Sequence, residues 1–164
     1  MPTHPIIPAR FKKYLERIED EKIRNWYEKN VMPYFFVNIV GKFEAAGYEL
    51  RPNGLMLRYV ASDENFAKMN LMMVDMALLR PLSEHSHESS DELIIFRNGA
   101  GLFYHDDEKT CGTQNIKKGF EAHVPRGTKH YLKPEKDNFL EVGLIYSPAP
   151  TQGDEKCFRS FDEL

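Results

Sequence analysis

Residues 85–92 read His-Ser-His-Glu-Ser-Ser-Asp-Glu, which places two imidazoles and a carboxylate in one short stretch. Imidazole nitrogens and carboxylate oxygens are the donors that divalent transition ions accept. His85 and His87 are separated by one residue, so on a strand both rings project from the same face. Glu92, at the start of the next apolar run, adds a hard anionic oxygen. A third imidazole, His130, comes from the distant segment Gly119 to His130, where Pro125 and Gly127 mark a tight turn just ahead of it. Together these residues make a set of three histidines and one carboxylate. Such a set leaves part of an octahedral shell open, where a substrate and a water or dioxygen can bind together. It suits Fe, Mn, Co, Ni or Zn.

Those four side chains meet only if strands from two parts of the chain close on one another. After Gly47 the sequence breaks into short runs rich in β-branched, aromatic and Met residues, punctuated by Asn53-Gly54, Asn98-Gly99 and Arg126-Gly127. Strands are predicted near 48–51, 55–61, 70–80, 84–88, 92–97, 101–105, 121–124, 129–133 and 139–146. Many short strands without alternating helices point to an all-β antiparallel sandwich or barrel. Ahead of them, Phe11, Tyr14, Leu15 and Ile18 fall at i, i+3, i+4 and i+7, and that face continues through Ile23, Trp26 and Tyr27. Pro33 interrupts it, and Tyr34 to Ala46 read as a second helix that Gly47 ends. The expected organisation is a helical extension over 1–47, with its two helices packed outside the barrel, a β-barrel over 48–147, and a C-terminal tail over 148–164. The tail reads as loop with a last turn near Phe158.

Period two also selects the lining. Ile94 and Phe96 follow Glu92, and Leu132 follows His130, so the three are expected to form an apolar cup beside the ion. Tyr59, Tyr104 and Tyr131 read first as packing residues and second as candidates for its mouth, with Tyr104 the candidate to carry a proton in non-redox chemistry. Glu84 and Glu88 alternate with the ligand positions and are expected to point outward into solvent. His105 and His123 read as ordinary, partly buried histidines.

The 164 residues are 41% hydrophobic and 29% charged, a balance ordinary for one globular domain, and the formal net charge is -3. Signs are interspersed, so no basic face exists to gather phosphates, and nucleic-acid binding is not expected. Cys111 and Cys157 lie far apart without a CxxC pairing, which suggests free thiols in a reducing compartment. The N-terminus lacks the order of a secretory signal and no apolar run approaches the ~20 residues of a membrane span. A cytoplasmic protein is expected.

The two stretches HSHESSDELIIFRNG and GFEAHVPRGTKH resemble the two signature motifs of the cupin superfamily. The first matches HxHx4Ex6G at His85, His87, Glu92 and Gly99, and the second matches Gx5PxGxxH at Gly119, Pro125, Gly127 and His130. Leu79 stands where the family's opening glycine would be, and Pro134 where an asparagine often closes the second motif. The resemblance implies a double-stranded β-helix, the cupin jelly roll, with a metal held by His85, His87, Glu92 and His130. It implies a metal-dependent enzyme acting on a small organic molecule. An Fe(II) dioxygenase is favoured, a metal-assisted isomerase or lyase is the alternative, and a non-catalytic ligand-binding module is a third reading. A homodimer is expected, because cupins commonly self-associate.

Overall fold

A computed structural model describes residues 6–61, 70–106 and 111–164. The chain divides into two compact units, Met1–Arg58 and Tyr59–Leu164. The first holds helices α1 (Ile6–Glu16), α2 (Glu21–Asn30) and α3 (Pro33–Ala45), followed by strand β1 (Glu49–Leu50), which pairs antiparallel with β2 (Met56–Ala61). Three helices stand where two were expected. The apolar stripe from Phe11 to Tyr27 is cut after Glu16, because Asp20 takes an extended conformation and accepts hydrogen bonds from the backbone amides of Lys22 and Ile23. Those bonds satisfy the first free amides of α2 and so start a new helix. Phe36, fully buried, gathers this unit's core through edge-to-face contacts with Phe11 at 5.1 Å and Tyr27 at 4.9 Å. The boundary after Arg58 falls inside β2. The Tyr27 hydroxyl ties down the hairpin of β1 and β2 by donating to the Gly54 carbonyl at 2.7 Å.

The strands form two antiparallel sheets. One is six-stranded and begins with β1 and β2, going on through β3 (Met72–Leu78), β10 (Leu140–Ser147), β5 (Asp91–Gly99) and β8 (Glu121–Val124). The other runs β11 (Glu155–Arg159), β4 (Glu84–His87), β9 (Lys129–Pro134), β6 (Gly101–Asp106), β7 (Cys111–Ile116). Alternation sets their inward faces: Glu92, Ile94 and Phe96 of β5 are buried, as are His130 and Leu132 of β9. Each fully buried Leu or Ile side chain contributes about 1.5–3 kcal/mol relative to exposure. Gly99 ends β5 at φ +95°, where a Cβ would lie 1.8 Å from the Phe139 carbonyl oxygen, so only glycine lets the chain turn there.

Two strands were missed. β7 and β11 are the outermost strands of their sheet, and β11 is exposed at every residue, so neither carries the apolar alternation by which a half-buried strand is recognised. The expected tail is therefore part of the second sheet. Antiparallel pairing joins Glu155 to His87 and Cys157 to His85. Cys157 is a free, exposed thiol, while the side chain of Cys111 lies outside the described residues. Among the described residues no helix is long and apolar enough to cross a membrane.

Candidate metal centre

Strand β4 delivers His85 and His87 to one face, and the pairing of β4 with β9 sets His130 directly across from His85. The three offer ring nitrogens that all lie within 4.8 Å of one another. The facing sheet supplies Glu92, whose Oε1 is 2.9 Å from His130 Nε2 and whose Oε2 is 3.8 Å from His87 Nε2. Exposure is 7% for His85, 6% for His87, 3% for Glu92 and 1% for His130, so the group is largely removed from solvent. The structure brings together all four residues chosen from the sequence.

Each ring is fixed from behind. His85 Nδ1 donates to the Ser83 carbonyl at 2.7 Å, His130 Nδ1 to the Thr128 carbonyl at 2.9 Å, and His87 Nδ1 to Asp154 Oδ2 at 3.0 Å. Carbonyl and carboxylate oxygens only accept, so each imidazole carries its proton on Nδ1 and turns the Nε2 lone pair inward. Nε2 of His87 is buried without a hydrogen-bond partner, and Nε2 of His130 faces only Oε1 of Glu92, 2.9 Å away. Buried polar atoms are rarely left unsatisfied, because each costs about 1–3 kcal/mol. With the histidine protons held on Nδ1, these inward atoms are electron-pair donors set against one another, which is the arrangement a cation fills. Imidazole nitrogen with carboxylate oxygen fits a divalent transition ion.

The charges agree with this. Burial alone would lower His130, yet the Glu92 carboxylate outweighs it and the pKa is raised. Burial alone would raise Glu92, but the His130 and His87 rings hold it lower. His85, pressed by burial and then by the neighbouring His130, falls to about 4. The Glu92 carboxylate thus draws positive charge to the inner side of His130, a place for which a proton and a metal ion compete, while His85 stays a neutral donor.

No protein-family model matches the sequence, and no curated protein matches it. Solved structures do. The nucleoside dehydratase Pac13 of Streptomyces superposes with a TM-score of 0.52 at 20% identity, over 66% of this chain and 81% of that one. A cupin-like protein from Thermotoga maritima gives 0.50 at 22% identity, over 65% and 77%. A protein from Shewanella oneidensis gives 0.57 at 18% identity, over 72% and 82%. The chain has the cupin fold.

Within the cupin sheets, Ile94, Phe96 and Leu132 are 1%, 3% and 1% exposed, on the faces that carry Glu92 and His130. Tyr104 requires a correction. It pairs with Tyr131 across β6 and β9, one residue out of phase with His105 and His130, so its side chain leaves the opposite face of the sheet. There it stacks on Tyr131 at 4.8 Å, beneath the Arg159 guanidinium. Tyr59 is 57% exposed. Glu84 does point away from the histidines, but it is buried and paired with Arg159 at 2.8 Å rather than solvated.

Two residues near the centre, Tyr146 and Asp154, escaped the sequence reading, and a third, His105, is partly buried as expected. Tyr146 pairs with Glu92 across β10 and β5, hydrogen-bonds its carboxylate, and has its own pKa pushed well up by burial and then by the Glu92 charge. The even spacing from Val142 and Leu144 was a signal for its inward position. His105, read as ordinary, lies opposite His130 in register and so shares its face; it is half-buried and stacks on Phe103. Asp154 sits in the presumed tail, and nothing in the sequence tied it to His87.

Proposed function

We propose that this cupin is a metal-dependent enzyme acting on a small organic molecule, with one divalent transition ion held by His85, His87, Glu92 and His130. The observation that carries this is the fixed orientation of three imidazoles, each Nδ1 proton turned outward, with the Nε2 atoms of His87 and His130 meeting the Glu92 carboxylate inside. Bound there, the ion supplies Lewis acidity and, as iron, one-electron chemistry with dioxygen. The chain's own residues do the rest. Ile94, Phe96 and Leu132 line the interior with apolar surface that excludes water and favours a compact, chelating substrate over a polymer. Tyr146 donates to Glu92 and steadies that carboxylate, which offsets part of the ion's charge.

Oxygen chemistry with Fe(II) is the favoured reaction, because it asks for coordinated substrate and dioxygen and no protein acid or base within the buried donor set. His105 supports a second reading. It stands on the same face as His130 and is partly open to solvent, where an imidazole can move a proton in a metal-assisted dehydration, isomerisation or lyase reaction. The nucleoside dehydratase Pac13 shares the fold, and at this identity its chemistry is a suggestion only. Loading the purified chain anaerobically with Fe(II), then following oxygen uptake with catechols, diketones and thiols, tests the first reading. Uptake with one substrate class is expected. Absence of uptake, together with anaerobic turnover that His105→Gln abolishes, would move the assignment to the second.

A further inference from the structure

The three imidazoles are not anchored alike. His85 and His130 each donate to the carbonyl two residues before them, a local contact that the strand entry itself provides. His87 instead donates to a carboxylate 67 residues away, Asp154 Oδ2. The Asp154 side chain is 2% exposed, and its other oxygen accepts from the Ser89 amide at 2.6 Å and from the Ser89 hydroxyl. The backbone is sewn in as well, with Glu88 N–H donating to the Asp154 carbonyl at 2.9 Å. Three donors therefore converge on a group that only accepts.

We propose that Asp154 is a positioning residue of the metal centre: it fixes the tautomer and aim of His87, and makes the C-terminal segment from Asp154 to Arg159 a working part of the site. This rests on the metal-centre reading above. The chemistry gives a sharp consequence for the isosteric amide. In Asp154→Asn one oxygen becomes an NH2. Turned toward Ser89, it opposes that residue's amide N–H. Turned toward His87, it needs Nδ1 unprotonated, which moves the imidazole proton to Nε2 and closes the inward lone pair to a cation. Outer carboxylate partners of this kind are worth about 10–100-fold in metal affinity.

The experiment pairs two readouts on the full-length chain: Co(II) titration against a chromophoric chelator, and nitrogen-15 chemical shifts of the histidine rings before metal is added. For Asp154→Asn, Co(II) affinity is expected to fall about 10–100-fold, with only His87 moving to the Nε2–H form and the melting temperature of the metal-free chain little changed. Ser89→Ala, which keeps the carboxylate but removes one anchor, should shift affinity the same way by less. Wild-type affinity with His87 still protonated on Nδ1 overturns the proposal. So does a loss of affinity in which all three rings change together and the chain melts early, since that marks a merely structural role. If the wild-type chain takes up no Co(II), the metal-centre reading fails; His87 remaining on Nδ1 in Asp154→Asn would separately defeat the role of Asp154.

Discussion

The two faces of the sheet formed by β11, β4, β9 and β6 are made by neighbouring residues, yet they solve opposite problems. On the outer face, Glu84 finds Arg159, the Arg159 guanidinium lies over Tyr104 and Tyr131, and the Ser86 hydroxyl donates to Glu88 at 2.7 Å. Each of these groups has its counterpart. On the inner face, one residue along each strand, His85, His87 and His130 are held from behind while Nε2 of His87 stays unpartnered and Nε2 of His130 meets only the Glu92 carboxylate. Polar side chains packed for stability satisfy one another; those reserved for a ligand do not. The contrast is what supports reading the inner face as a ligand site.

Breaking the inner face should have the largest effect. His130→Ala removes a donor atom and the partner of Glu92 together, and Co(II) affinity should fall by at least about tenfold in the chelator competition. Next, metal added at a hundred times its Kd should stabilise the wild-type chain by about 2.7 kcal/mol in chemical denaturation, while His130→Ala gains far less. The outer face should respond differently. Glu84→Gln breaks the pair with Arg159 and should lower the melting temperature by a few degrees while Co(II) affinity stays at the wild-type value. Tyr104→Phe should be smallest of all, with metal affinity and turnover within about twofold of wild type, since its hydroxyl contact with Asp106 is long, at 3.4 Å. Loss of turnover in Tyr104→Phe would mean that the outer face takes part in the chemistry.

The inner face was legible because its signals are short-range. Two histidines at i and i+2, the glycines and proline of the turn before His130, and the period-two apolar residues after Glu92 are all local patterns, and the fold follows from the same strands. What escaped was set by register and by edges. Whether Tyr104 or His105 shares the face of the histidine cluster depends on which residue of β6 lies opposite His130, and a shift of one position exchanges them. The strand at 155–159 is polar and exposed, so its sequence reads as loop, and with it went the link from Asp154 to His87. The break between α1 and α2 turned on one capping residue, Asp20, inside an otherwise continuous apolar stripe.

X-ray absorption at the cobalt edge, on the chain purified without chelators and supplied with Co(II), tests whether the four residues hold an ion. One ion per chain is expected, with the scattering of three imidazoles and a carboxylate oxygen in its inner shell. A chain that retains no ion, or one whose ion shows fewer than three imidazoles, would contradict the proposed metal centre.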